Sequence, residues 1–361
     1  MKGKVGLVLT TKERFMRMYE HKEADRVPFF DAPWEGTLAR WEREGMPKGC
    51  DWRDYFDVDK VEEIPVDISP RYEYKVLEET DRYIIHTTGW GATIKEFKEQ
   101  DSTPEFLDYK VTTPEEWERA KKQMTVNPDR IDWKRLEKNY QKWRQEGRWI
   151  EGKFWFGFDV THSWMVGTET VLIAMLEDPE WVTDIFNTYL DCCIAHFDML
   201  WDAGYHFDAI TWPDDMGYKN TPFFSNQMYR DLLKDVHKRA VDWAHSKGIF
   251  ARLHSCGDIM PLLPDIMETG IDGLNPLEVK AGMDVLKIKK EYGDRLVLHG
   301  GINAVLWDNE EAIIEAIRNT VPVLKENGGY IFASDHSIPN SVSLDTMKSI
   351  VSTVKEVGKY G

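Results

Sequence analysis

The chain has 361 residues, 42% hydrophobic and 30% charged, with 15 Trp, 16 Phe and 14 Tyr, ample for a large core. Its formal net charge of -17 argues against nucleic acid and against an anionic membrane surface as partners. No apolar run approaches the roughly 18–20 residues of a membrane span.

Residues 1–19 carry Lys12, Glu13, Arg14 and Arg17 and no cleavable apolar segment, so no secretory signal is expected. Cys50, Cys192, Cys193 and Cys256 are not spaced as a disulfide framework, which points to a reducing cytoplasm.

In chain order, residues 11–22 read as an amphipathic helix with Thr11 as its cap. A first strand is expected at 27–31 and a second at 63–67. Residues 82–97 look like a β-hairpin turning at Gly89-Trp90-Gly91, and Pro114 opens a charged helix. From 149 the rhythm becomes regular. Strands are expected at 150–158, 207–212, 249–254, 271–275, 296–299 and 330–333, with helices between them and a last helix capped by Ser343. Eight such strands alternating with helices imply a parallel sheet and favour a (β/α)8 TIM barrel with an elaborated N-terminal region. The whole chain, 1–361, is expected to be one barrel domain, with helices and the hairpin inserted over 1–148 and regular βα units over 149–361.

In such a barrel the C-terminal strand ends converge on one face, where active sites lie. At these ends stand Asp214 and Asp215, His254 and Cys256, Glu278, His299, and Asp335 and His336. His254 and Cys256, two residues apart at the end of a buried strand, can aim at one point, and imidazole plus thiolate suits zinc. Taken alone, the pair reads equally as a hydrogen-bonded histidine beside a buried thiol. With His336 and Glu278 or His299 added, a metal site is the stronger reading. Asp335 reads as a carboxylate orienting an imidazole or as a turn residue. Asp214 and Asp215 read as a general base or substrate-binding carboxylates, or as an Asx turn, and His299 as a further catalytic group. Trp34, Trp164 and Trp212, with His162 and Tyr218, are candidates to line a substrate pocket.

Leu253-His254-Ser255-Cys256-Gly257-Asp258, Leu298-His299-Gly300-Gly301-Ile302 and Ser334-Asp335-His336-Ser337-Ile338-Pro339 together resemble the uroporphyrinogen decarboxylase superfamily, specifically its corrinoid-dependent methyltransferase branch. The resemblance is good over roughly 145–360 and weak before that, and it implies a (β/α)8 barrel. Two departures refine it. The decarboxylases place an arginine-rich stretch after the first strand, where this chain reads Phe29-Phe30-Asp31-Ala32-Pro33-Trp34-Glu35-Gly36, so no cationic cradle for a polycarboxylate is expected. The zinc methyltransferases acting on coenzyme M use a later cysteine where this chain has His336. The resemblance therefore implies zinc held by His254, Cys256 and His336, with Glu278 as a further ligand, and a methyl group moved between a small methoxylated substrate and the cobalt of a corrinoid protein. The partners expected are that corrinoid protein, the small-molecule methyl donor or acceptor, and a second copy of the chain. A metal-independent decarboxylase using Asp214 or Asp215 is the competing reading.

Overall fold

Short runs rich in apolar residues become the strands of a parallel sheet, with helices filling most of the intervals between them. A computed structural model describes residues 8–98 and 102–361; part of the expectation for residues 1–19, namely 1–7, lies outside them. The strands are β1 (Val61–Pro65), β2 (Val76–Glu79), β3 (Tyr83–Thr87), β4 (Ala92–Phe97), β5 (Glu105–Tyr109), β6 (Trp149–Lys153), β7 (Ala209–Pro213), β8 (Phe250–His254), β9 (Gly273–Asn275), β10 (Val297–His299) and β11 (Tyr330–Ile331).

Seven of them, in the order β1-β6-β7-β8-β9-β10-β11, form one curled, wholly parallel sheet. The strand expected at 27–31 is instead a single parallel bridge, Phe29 to Phe332. There Phe30 N–H donates to the Phe332 carbonyl (3.1 Å) and Phe332 N–H to the Pro28 carbonyl (2.8 Å). On the far side Asp59 N–H reaches the Phe29 carbonyl at 3.2 Å. The buried Asp59 carboxylate accepts the Phe29 N–H (2.8 Å) and pairs with Arg14 (2.5 Å) and Arg26 (2.6 Å). Pro28 has no N–H to give a ladder, which is why this segment bridges rather than pairs at length.

The expected hairpin is β3 and β4, with its turn at Gly89-Trp90-Gly91. It belongs to a four-stranded antiparallel sheet, β2-β3-β4-β5, whose outer members were not anticipated. The reason is physical: every residue of β2 is exposed, so its sequence carries no buried alternation to read. The first helix, Thr11–Tyr19, is capped by Thr10 rather than Thr11, in a capping box with Glu13. Helix Pro179–Asp202 starts at an Asp178 cap with Pro at its first position and covers the sheet with Phe186, Leu190, Phe197 and Leu200. No helix among the described residues is long and apolar enough to cross a membrane.

Candidate active site

Register decides which side chains meet. Pro213, His254 and Asn275 are aligned partners across β7, β8 and β9, and Leu298 pairs with Leu274, so His299 stands at the same level. With a side-chain period of two, Thr211, Pro213, Arg252, His254, Asn275 and His299 face a cavity of about 250 Å3 inside the curl. Trp212, expected in a pocket wall, has the opposite parity. It is fully buried on the outer side, stacked on Phe156 and edge-on to His237 of helix Lys234–Ser246.

Beyond β8 the chain turns through Gly257, whose φ is +79°; a Cβ there would fall 2.2 Å from the Gly217 backbone. This contact clamps the loop after β7 to the loop after β8. Gly217 N–H donates to the Cys256 carbonyl (3.2 Å) and Asp258 N–H to the Tyr218 carbonyl (2.9 Å). The clamp carries Asp215 into the site. Its Oδ1 accepts Cys256 N–H at 2.8 Å and lies 3.8 Å from His254 Nε2, which is 3.3 Å from Cys256 Sγ. Asp215, His254 and Cys256 each offer a ligand atom, all within 4.8 Å of one another.

The tautomer of His254 is set from behind. Its Nδ1 lies 2.5 Å from Asn275 Oδ1, and Asn275 Nδ2 donates to the His299 carbonyl (3.2 Å), which fixes the amide so that Oδ1 is the acceptor. Nδ1 therefore carries the proton and Nε2 presents its lone pair to Cys256 and Asp215. Burial, then Asp215, Glu278 and Asp159, push the Cys256 thiol well above its usual range. A cation between these donors would reverse that, since a coordinating thiol is deprotonated outright. Imidazole, thiolate and carboxylate at this spacing fit zinc.

Glu278 and His336, expected as ligands, fall outside this three-residue group. Glu278 Oε2 accepts Gly257 N–H (2.6 Å) while Oε1 pairs with Lys280 (3.2 Å), so it braces the Cys256 loop. His336 is exposed at the cavity rim, its ring stacked on Trp34 at 6.2 Å. His299 has both nitrogens engaged, Nε2 with the Phe30 carbonyl (2.8 Å) and Nδ1 with Arg252 (3.3 Å). Burial and Arg252 hold it neutral, and with its Nε2 proton given to the Phe30 carbonyl and its Nδ1 lone pair taken by Arg252 it forms part of the wall rather than a free base. Asp214 is sealed below the site, accepting Asp159 N–H (2.7 Å) and bonded to His237 Nε2 (2.7 Å), whose Nδ1 meets Tyr229 Oη (3.0 Å). Asp335 accepts Ala304 N–H (2.6 Å) and Lys280 N–H (3.3 Å), a turn-fixing role. His162 is enclosed by Phe158 and Thr168, and burial pulls its pKa down to about 4. Trp164 stands behind Trp155, and Tyr218 is exposed on the clamped loop.

Sequence reasoning missed the charged lining beneath: Glu151 with Arg252, and Glu63 with Lys153 at 2.7 Å. Its signal was available, for Arg252 shares the parity of His254 and Glu151 that of Lys153 on otherwise buried strands.

Asp31, in the same cavity wall, accepts Ser334 N–H (2.6 Å), Ala32 N–H (2.7 Å) and Ser334 Oγ (3.1 Å). Burial outweighs these bonds and pushes its pKa up to about 6. A carboxyl raised on folding contributes stability that is present below its unfolded value near 4 and lost as pH rises through about 6. Relative to Asp31→Asn, wild-type stability is thus expected to fall by about 2–3 kcal/mol between pH 4 and pH 8 in urea titrations. A pH-independent difference between the two proteins would refute it.

Residues 159–357 match the model of the family described as Uroporphyrinogen decarboxylase (URO-D). Over 178 residues the chain is 28% identical to a methylcobamide:CoM methyltransferase, MtaA, of Methanosarcina barkeri, covering 48% of this chain and 50% of that one. Over 147 residues it is 26% identical to a uroporphyrinogen decarboxylase of Chloroherpeton thalassium, covering 38% and 39%. The matches thus span half or less of these relatives. A solved methyltransferase from Methanosarcina mazei superposes with a TM-score of 0.67 at 17% identity, covering 96% of this chain and 99% of that one, a likeness of fold.

Proposed function

The chain belongs to the uroporphyrinogen decarboxylase family, and on that premise we propose that it is a zinc-dependent methyltransferase. The methyl group moves between the oxygen of a small methoxylated substrate and the cobalt of a corrinoid carried by a separate protein. The reading places the chain in the methyltransferase branch, in the cytoplasm, as a single (β/α)8 barrel domain in which residues 27–31 supply the eighth stave. The observation that carries it is the Asp215, His254 and Cys256 group, with His254 Nδ1 occupied by Asn275.

These three residues would hold the ion, Asp215 replacing the His336 suggested by the sequence. Bound there, zinc would supply Lewis acidity to the oxygen that the methyl group leaves. The chain's own contribution is position and dryness. Asn275 holds the His254 ring, Cys256 N–H holds the Asp215 carboxylate, and Phe30 and Ala333 line the cavity beside them. His336, exposed at the cavity rim, marks the side on which a corrinoid protein would dock.

The competing decarboxylase reading draws on the likeness to the C. thalassium protein. It is weakened by two features: Asp214 is locked to His237, and Arg252, the buried cation of the cavity, is committed to Glu151. The deciding experiment combines metal analysis with methyl transfer to a reduced corrinoid protein, followed by its visible spectrum. About one zinc per chain and formation of methylcorrinoid are expected. A zinc-free protein that resists chelators and releases CO2 from a carboxylated substrate would defeat the proposal.

A further inference from the structure

The cavity beside His254 is not closed. A second one, of about 870 Å3, extends from it beneath the turn between β3 and β4, walled by Val61, Ile68, Trp90 and Trp155. The two share Phe30, Ala32, Glu63 and Lys153, so they form one groove with a waist at those residues. The inner part is smaller than the roughly 300–1,000 Å3 of typical small-molecule sites, and the outer part lies within that range.

We infer that the groove binds an elongated substrate, its reacting end beside His254, its ring-bearing apolar body between Phe30, Trp90 and Trp155, and an anionic oxygen group on Lys153 at the waist. Only the assignment of the reacting end rests on the methyl-transfer reading.

The outer walls are preorganised aromatic faces. Trp155 is held by its indole N–H on Asp159 (2.9 Å) and by edge contacts with Trp90 (5.4 Å) and Trp164 (5.7 Å). Phe30 is stacked on His299 at 5.3 Å. Rings fixed in this way bind another ring with little ordering cost. At the waist, the Lys153–Glu63 pair is 41% and 36% exposed. Ion pairs so open to water contribute little, so a substrate carboxylate can share Lys153 or displace Glu63 cheaply. Arg252, deeper in, has no such freedom, being held by Glu151 and His299. Trp90 comes from the antiparallel sheet rather than the curled sheet, which gives that insertion a purpose: it extends the site.

The test titrates the full chain with 3-phenylpropionate, propionate and 3-phenylpropanol, followed by tryptophan fluorescence and calorimetry, with and without added zinc. In the wild type, 3-phenylpropionate is expected to bind about tenfold or more tightly than propionate. Ala32→Trp, at an exposed position of the waist, should abolish that binding. Lys153→Met should weaken 3-phenylpropionate about tenfold while leaving 3-phenylpropanol within about threefold. Trp155→Leu, checked for its fold by circular dichroism, should remove the advantage of the ring. Equal affinity for 3-phenylpropionate and propionate, or undiminished binding in Ala32→Trp, would overturn the groove. An unchanged 3-phenylpropionate affinity in Lys153→Met would overturn the anion contact. Because these readouts need no methyl transfer, a failure of the transferase reading leaves them standing, and their failure leaves it standing.

Discussion

Replacing Cys256 by serine is expected to leave the chain folded, strip it of zinc and lower methyl transfer on the order of a thousandfold, the several kcal/mol that a Lewis-acidic ion contributes. The fold should survive because the loop is held by backbone groups that the thiol does not touch: Gly217 N–H on the Cys256 carbonyl, Cys256 N–H on Asp215, and Gly257 N–H on Glu278. Asn275→Ala should act more gently. Losing the bond that holds His254 Nδ1 frees the ring to rotate and to change tautomer, a defect that costs about 10–100-fold in metal affinity at comparable sites. His336→Ala separates the two ligand sets. Outside the 4.8 Å group, His336 should be dispensable for zinc, whereas Asp215→Asn should not be. Zinc content by elemental analysis reads all four variants. Loss of zinc in His336→Ala with retention in Asp215→Asn would restore the ligand set suggested by the sequence.

That contrast shows where the sequence was legible. His254 and Cys256 could be read because both lie within two residues of each other at a strand end, where local geometry alone brings them together. Asp215 could be placed at the next strand end. Its partner could not, because the approach depends on two glycines from different loops meeting backbone to backbone. Most of the strands from 149 onward, and the position of the segment 27–31, were legible from apolar runs, while the exposed strand β2 was not, since it shows no buried period. Trp212 was misplaced by proximity: it sits next to Pro213, but in a strand adjacent residues face opposite ways. The groove past Lys153 needed tertiary structure, because Trp90 reaches it from an insertion that no spacing ties to the barrel strands.

The ion pair beneath the cavity should carry the largest effect on stability. Glu151 is fully buried and Arg252 is 4% exposed. Arg252 Nη2 bonds to Glu151 Oε2, and Trp149 Nε1 donates to Oε1 at 3.0 Å. Arg252 also donates to His299 Nδ1 (3.3 Å), and His299 Nε2 is bonded to the Phe30 carbonyl (2.8 Å). The chain of bonds thus runs across β6, β8 and β10 to Phe30, one of the four residues that both cavities share. Arg252→Met removes the cation and strands a carboxylate in the interior, so it is expected to cost about 3–5 kcal/mol in urea unfolding, with Glu151→Met comparable. The double variant Glu151→Met/Arg252→Met leaves neither charge and should lie within about 1 kcal/mol of the wild type, or above it. The cycle separates the cost of an orphaned charge from the net worth of the pair. Zinc should be retained in all three, since no ligand belongs to this network, but Phe30 loses the bond that fixes His299 behind it. Binding of 3-phenylpropionate should therefore weaken in the double variant although its stability does not. Additive losses in the double variant, about twice those of either single change, would mean that the two side chains contribute by packing and not as an ion pair.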